Sequence, residues 1–299
     1  MQLNQNDLAS MTLPNKLIRY HLTSVLKPIH ATIYPTNFCN LRCTFCDTWT
    51  RDKSLLLSPN DCTGVIDALS NVGTKAITLS GGGEPTLHPF INEMLEYAFW
   101  RNMEIGLITN GFNLQKINNN LLQLITWIRI SVNSETDLSL LNRVSEIDFG
   151  NACYSFRYVV TNECRNIEKY VEYTKARNVP LYVIGDVYNK NVKLPDIQEP
   201  HVFVENRREV ICKGAQECWY YLVRPHIAAD GYVYPCCLIG FDRNEIMDPK
   251  YRLCHYTKLE QLVEKQEAYN GSLCGECFLN MYNKILSCHK SKPHHDNFV

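Results

Sequence analysis

Three cysteines near the start of the chain have types and spacing that suit metal chemistry. Cys39, Cys43 and Cys46 form a C-x3-C-x2-C pattern. Three thiolates can hold three irons of a four-iron cluster and leave the fourth iron open to bind another molecule. A tetrahedral structural zinc would need a fourth ligand, which the adjacent Asp47 would provide only with poor geometry. The spacing therefore favours an iron–sulfur cluster with one open coordination position.

A glycine run further along the chain is suited to binding a ligand. Gly81, Gly82, Gly83 and Glu84 directly follow an apolar stretch at 76–79 that is predicted to be a strand. Glycines let a backbone approach a ligand closely, and a carboxylate can pair with an ammonium group. A glycine run alone more often marks a turn. Its position after a strand indicates a binding loop.

A second group of cysteines lies in the C-terminal part of the chain. Cys218 and Cys236 flank an Asp230-Gly231 turn, which predicts a β-hairpin that brings them together. Cys274 and Cys277 form a C-x2-C pair. Four thiolates suit either zinc or a fully ligated iron–sulfur cluster, and ligand geometry alone favours a zinc ribbon.

The elements that must position these residues alternate between strands and helices. Apolar periodicity predicts strands at 29–34, 76–79, 104–108, 127–132, 153–160 and 181–187, and helices at 13–26, 58–72, 89–102, 114–125, 138–144 and 166–177. About six βα repeats predict a parallel sheet with helices outside it, and functional groups at the C-terminal ends of the strands. Periodicity alone equally allows a barrel or a doubly wound sheet.

Composition limits the classes of protein to consider. The 299 residues suffice for one large domain and a small one, with 45% hydrophobic and 20% charged residues. A net charge of -1 gives no indication of nucleic-acid binding. No apolar run has the length of a membrane span. Fourteen cysteines without a secretion signal predict a cytoplasmic, reducing environment and metal chemistry rather than disulfides.

The first cysteine motif resembles the signature of the radical S-adenosylmethionine (SAM) superfamily, and Gly82-Gly83-Glu84 resembles that family's GGE motif. The resemblance implies a partial (β/α)6 TIM-type barrel whose open iron is chelated by SAM. It also implies cofactor-binding roles for six residues: Phe45, Gly82, Gly83, Glu84, Ser131 and Asn133. Asn133 departs from the family, which commonly has Asp there. Arg157, on the fifth predicted strand, could face the lumen and meet the substrate or the cofactor carboxylate.

The C-terminal cysteines resemble those of the twitch domain, a shorter relative of the SPASM extension. This resemblance favours one auxiliary 4Fe–4S cluster over zinc, held by Cys218, Cys236, Cys274 and Cys277. The further cysteines of a full SPASM domain are missing, and position 283 is Asn. The expected α/β fold is thus a partial barrel followed by a small cysteine-rich, twitch-like domain with a β-hairpin. The expected divisions are a helical extension at 1–29, the barrel at 30–187, a linker at 188–217, and the twitch-like domain with the tail at 218–299.

The resemblance implies an oxidoreductase or epimerase that cleaves SAM reductively to a 5′-deoxyadenosyl radical. It would need an external one-electron donor of the flavodoxin or ferredoxin type. Twitch enzymes point to a small polar substrate such as a sugar or aminocyclitol, and the alternative is a ribosomal or other short peptide. Cys237 and Cys254 are candidate hydrogen donors for an epimerase, whereas the four auxiliary ligands favour an oxidised product. The competing class is a non-catalytic iron–sulfur or zinc module, which needs neither the open-iron triad nor the GGE motif.

Overall fold

The structure is a computed structural model that describes residues 13–17, 25–48, 50–162, 164–239, 242 and 245–290. Residues 13–17 are helical, in agreement with the first turns of the helix expected over 13–26. Much of the rest of that predicted helix, and the tail from 291, lies outside the described residues.

A ten-stranded sheet forms the framework of the molecule. Its first seven strands in chain order are β1 (His30–Ile33), β2 (Ala76–Leu79), β3 (Glu104–Thr109), β4 (Trp127–Asn133), β5 (Cys153–Val160), β6 (Leu181–Gly185) and β7 (Val202–Glu205). Each of these strands pairs in parallel with the next one along the chain. This arrangement confirms the predicted α/β fold with a partial barrel. Because all seven strands run in the same direction, the loops after them meet at one end of the barrel.

Helices connect the strands and cover the outside of the sheet. They are α1 (Pro59–Asn71), α2 (Ile91–Trp100), α3 (Asn119–Leu122), α4 (Ser139–Ser145) and α5 (Ile167–Arg177). Ser58 and Asp61 form a capping box that fixes the start of α1, and Pro59 occupies its first turn. Fully buried side chains such as Ile66 and Met94 pack these helices against the sheet.

The helix expected over 114–125 is wrong in its length. A 3₁₀ turn at Leu114–Lys116 and the single turn of α3 replace it. The sequence places three asparagines in a row at 118–120, and asparagine has a low helix propensity. The backbone N–H of Asn118 donates instead to the side chain of Asn92, 3.0 Å away. The run of asparagines therefore interrupts the helix that apolar spacing alone predicts.

A hairpin from the C-terminal part of the chain extends the barrel sheet beyond β1. Strands β10 (His226–Ile227) and β11 (Tyr232–Tyr234) are antiparallel, and β10 pairs in parallel with β1. The predicted turn at Asp230-Gly231 is present, with Gly231 at φ 77°, a conformation that glycine adopts without strain. The strand β12 (Cys254–His255) then pairs with β11. The C-terminal part of the chain is thus built directly onto the barrel.

Two short ladders organise the cysteine-rich region. They pair β8 (Cys212–Lys213) with β14 (Glu276–Cys277), and β9 (Glu217–Cys218) with β13 (Tyr269–Asn270). Two further helices, α6 (Leu259–Lys265) and α7 (Asn280–Lys290), lie in the same part of the chain. The stretch predicted as a linker, 188–217, contains β7, β8 and the start of β9, which the sequence did not predict.

Candidate active site

The first cysteine motif lies on the loop after β1, at the C-terminal end of the barrel. The backbone N–H of Glu84 donates to the carbonyl oxygen of Phe38 at 2.8 Å, which joins this loop to the glycine run after β2. A Cβ atom at Gly83 would collide with that same carbonyl group. Glycine is therefore required at Gly83 because two backbone segments meet there without room for a side chain.

Each of the three thiols in this loop has a polar contact. Leu41 N–H donates to Cys39 Sγ at 3.4 Å, Asn133 Nδ2 donates to Cys43 Sγ at 3.8 Å, and Thr48 Oγ1 lies 3.2 Å from Cys46 Sγ. The hydrogen bonds that Leu41 and Asn133 donate to sulfur are of the kind that stabilises iron-ligating thiolates and tunes the potential of a cluster.

The electrostatics of the loop also favour a metal cluster. Burial raises the pKa of the Cys39 thiol and raises that of Cys43 to about 12, and the neighbouring thiols add to both shifts. Thiolates this close together repel one another unless a cation compensates their charge. The three residues therefore fit a group that supplies positive charge between them, as the irons of a cluster would.

A cavity of about 350 Å³ opens beside the cysteine loop. All six residues expected to bind the cofactor line it: Phe45, Gly82, Gly83, Glu84, Ser131 and Asn133. The three cysteines of the loop and Arg157 line it as well. The structure thus brings the first cysteine motif, the GGE motif and the ends of β4 and β5 around one space.

The Glu84 carboxylate is buried and already strongly hydrogen-bonded. Its Oε1 accepts from Thr86 N–H at 3.1 Å, Thr86 Oγ1 at 2.7 Å and Thr109 Oγ1 at 2.6 Å, and its Oε2 accepts from Asn110 N–H at 2.7 Å. Burial raises the pKa of Glu84, and these donors oppose that rise. The carboxylate ties the ends of β2 and β3 together, and Oε2 keeps capacity for one more donor.

The four cysteines of the C-terminal region surround a second, small cavity: Cys218, Cys236, Cys274 and Cys277. Leu279 N–H donates to Cys277 Sγ at 3.3 Å, and the backbone N–H groups of Tyr220 and Leu238 serve Cys218 and Cys236 in the same way. Burial raises the pKa of Cys218 to about 11 and that of Cys277 to about 12. These four thiols fit a metal centre whose ligands are thiolates.

The two cysteines that are candidate hydrogen donors, Cys237 and Cys254, have different surroundings. Cys237 lines the cavity beside the first cysteine motif, and burial raises the pKa of its thiol. Cys254 is on β12 and packs against the main hydrophobic core. Only Cys237 faces the space where a substrate would meet the cofactor.

Sequence reasoning missed Arg129 and the role of Thr48. Arg129 lies two and four residues before Ser131 and Asn133 on β4, so all three share the lumen face. That alternation was a signal available in the sequence. Thr48 donates to the carbonyl oxygen of Gly82 at 2.6 Å and links the cysteine loop to the glycine run. No local pattern marks this contact.

A scan against family models matches residues 33–174 to the model described as "Radical SAM superfamily". The match contains the first cysteine motif and the GGE motif, the two motifs that meet at the cavity. Over residues 33–174 the chain is therefore similar to proteins of the radical SAM superfamily. No helix in the described part of the chain is long and apolar enough to cross a membrane.

Two curated relatives match part of the chain. An S-adenosylmethionine-dependent nucleotide dehydratase of Flammeovirga pacifica is 34% identical over 105 residues, which is 32% of this chain and 35% of that protein. The antilisterial bacteriocin subtilosin biosynthesis protein AlbA of Bacillus subtilis is 30% identical over 137 residues, 44% of this chain and 30% of AlbA. The chain thus matches about a third of the length of each of these relatives.

Among solved structures, SuiB of Streptococcus suis bound to S-adenosylmethionine matches with a TM-score of 0.56. The identity is 14%, and the match covers 86% of this chain and 69% of SuiB. This similarity shows a shared fold, and it extends beyond the barrel into the cysteine-rich region.

Proposed function

We propose that this protein is a radical SAM enzyme that removes a hydrogen atom from a small polar substrate in the barrel. The observation that carries the proposal is the meeting of Cys39, Cys43 and Cys46 with the GGE motif around one cavity. When bound, a four-iron cluster and SAM supply the 5′-deoxyadenosyl radical that performs the abstraction.

The residues around the cavity would hold SAM and exclude water. The three cysteines would hold the cluster, Glu84 Oε2 and the glycine backbone would take the ammonium group, and Phe45 would pack on the adenine. Ser131 and Asn133 would approach the ribose or the carboxylate. The donation from Asn133 to Cys43 gives Asn133 a second task, which is to orient and stabilise that thiolate.

The second cysteine set would hold an auxiliary four-iron cluster that exchanges electrons with the substrate site or with an external one-electron donor. Cys237 supports an epimerase-type reaction as the outcome of the abstraction. Its thiol would give a hydrogen atom to the substrate radical, and one electron and one proton from the donor would then restore the thiol.

A peptide substrate is the second candidate, and two similar proteins favour it. AlbA is a bacteriocin biosynthesis protein, and SuiB has also been solved bound to its precursor peptide SuiA, with a TM-score of 0.52 to this chain. The cavity volume of about 350 Å³ favours a small molecule or one peptide side chain over a long bound segment.

The test is anaerobic reconstitution with iron and sulfide, followed by addition of dithionite and SAM. We expect about eight irons per chain and formation of 5′-deoxyadenosine. Replacing Cys39, Cys43 and Cys46 together by Ala should remove about half of the iron and all SAM cleavage. Cys153→Ala, which changes an exposed cysteine at the start of β5, is the matched control. SAM cleavage by the triple variant would refute the proposal.

A further inference from the structure

A third cavity, of about 340 Å³, lies inside the barrel next to the one beside the first cysteine motif. Arg157, Arg207 and Cys237 line both cavities, so the two spaces adjoin. We call the third cavity the basic chamber, after five cationic residues that line it: Lys16, Arg129, Arg157, Arg207 and Arg224.

The charge of the basic chamber is unbalanced. Its described lining residues include these five cations and neither Asp nor Glu. Glu205 lies behind the lining, with Oε2 3.7 Å from Arg207 Nε. Across the described ranges, no ion pair reaches Arg129, Arg157 or Arg224. Cations removed from water are costly unless an anion compensates them, so the chamber calls for a negatively charged occupant.

Hydrogen-bond donors of these arginines also lack partners. The Nε atoms of Arg129, Arg157 and Arg224 are buried and have no acceptor among the described residues. Among the described residues, the Arg224 guanidinium donates to two neutral oxygens, at 3.3 Å from its Nη1 to Tyr220 Oη and 3.5 Å from its Nη2 to Thr32 Oγ1. These contacts fix the guanidinium without neutralising it.

Arg129 is held over aromatic rings, with its guanidinium carbon 5.2 Å from the centre of the Trp127 ring and 5.7 Å from that of Tyr182. Burial lowers the pKa of Arg129 to about 10 and that of Arg157 well below its usual range, and Arg207 lowers both further. The cations repel one another, and a bound anion would remove that repulsion.

We propose that the substrate carries one or more phosphate groups and that these lie in the basic chamber while the reacting carbon faces the SAM cavity. This assignment rests on the proposed function. A guanidinium presents a planar fork of donors that matches phosphate oxygens, and five cations exceed the single charge of a carboxylate. The phosphate would fix which C–H bond of the substrate meets the radical, because it anchors the far end of the molecule.

The lining residues separate this role from cofactor binding. Arg157 and Arg207 border both cavities and could reach the carboxylate of SAM. Arg129 and Arg224 are among the described residues that line the basic chamber, and neither lines the cavity beside the first cysteine motif. Substitution of these two therefore tests the anion site without touching the SAM site.

The experiment measures binding of pyrophosphate, inorganic phosphate and acetate to the reconstituted protein by anaerobic titration calorimetry. We expect saturable pyrophosphate binding that weakens about 10- to 100-fold in Arg129→Gln and in Arg224→Gln. SAM affinity should be unchanged in both variants. Arg143→Gln, at an exposed position on α4, is the matched control and should bind as the wild type does. Arg129→Lys keeps the charge and should retain part of the affinity, which separates a lost contact from a misfolded variant.

The outcomes distinguish this inference from the function on which it rests. No pyrophosphate binding, binding indifferent to both substitutions, or acetate binding as tight as that of pyrophosphate would each overturn the phosphate assignment, even if 5′-deoxyadenosine forms. Tight pyrophosphate binding without 5′-deoxyadenosine formation would instead refute the proposed function, and with it the assignment of the anion to a substrate.

Discussion

At the scale of single residues, Glu84 combines two requirements in one side chain. It accepts four hydrogen bonds that join the ends of β2 and β3, and it lines the cavity expected to hold SAM. A carboxylate with this many donors is positioned rigidly, which suits binding of an ammonium group at its remaining capacity. The sequence suggested only the second task.

Substitution of Glu84 by Gln should weaken both functions. The amide would place an N–H group against donors, so the free energy of unfolding should fall by about 1–3 kcal/mol. SAM affinity should fall about 10- to 100-fold, because a hydrogen bond to a charged group is lost. Thr109→Val is the control, since it removes one donor to Glu84 and leaves the charge. Equal SAM affinities of the wild type and Glu84→Gln, measured by equilibrium dialysis, would assign Glu84 a purely structural role.

A second prediction at the residue scale concerns Cys237, which in the proposed function would give a hydrogen atom to the substrate radical. Once a substrate is known, the reaction in deuterium oxide should place one solvent deuterium in the product, because thiol protons exchange with water. Cys237→Ala should abolish that incorporation while 5′-deoxyadenosine still forms. Cys254→Ala, at a thiol packed in the core, should behave as the wild type does. A product lighter by two hydrogens that is indifferent to Cys237→Ala would identify a dehydrogenase.

At the scale of elements, β10 is the strand that joins the C-terminal region to the barrel. It pairs with β1 through Thr32 and His226, and His226 is buried there with neither ring nitrogen hydrogen-bonded to a described residue. Burial lowers the pKa of His226 well below its usual range, and Arg224 and His30 lower it further. The folded protein therefore keeps this ring neutral where an unfolded chain would protonate it.

The stability of the molecule should consequently decrease as the pH falls below about 6.5, the pKa of an unfolded histidine. Below that value the unfolded state binds a proton that the folded state does not, and each such group costs up to about 1.4 kcal/mol per pH unit. His226→Gln removes one such group and should reduce the slope between pH 5 and pH 7. Urea unfolding under anaerobic conditions measures the free energy of unfolding at each pH. An equal slope of that free energy against pH in the wild type and the variant would contradict the burial of a neutral His226 ring.

At the scale of the whole molecule, the two cysteine sets differ in the stability of the structure that surrounds them. The first set lies on a loop of a barrel that has its own large core. The second set is surrounded by ladders of only two residues per strand, which have little stability of their own. A metal centre that binds only the folded state adds its binding free energy to folding.

Removal of the second set should therefore destabilise the protein more than removal of the first. Cys274→Ser with Cys277→Ser and Cys39→Ser with Cys43→Ser should each lose about half of the iron. The first pair should lower the melting temperature by roughly 6–12 °C, which corresponds to about 3 kcal/mol for a chain of this size. Equal melting temperatures of the two double variants would show that the auxiliary region folds without its metal.

The sequence by itself determined the parts of this protein that depend on local patterns. The C-x3-C-x2-C and GGE motifs lie within short stretches, and the βα alternation follows from periodicity over a few residues. The positions of Ser131 and Asn133 near the end of β4 followed from the same alternation, because parallel strands place their C-terminal ends together. Phe45 followed instead from the resemblance of the cysteine motif.

Only the tertiary structure decided which distant residues meet. The pairing of β10 with β1 joins segments far apart in the chain, and no periodicity encodes such a partner. The same holds for the contact of Asn133 with Cys43 and for the separation of Cys237 from Cys254. The basic chamber arises because arginines from several strands and loops point into one lumen. No sequence pattern marks these arginines as a group. Their shared positive charge becomes energetically costly only when folding removes them from water together.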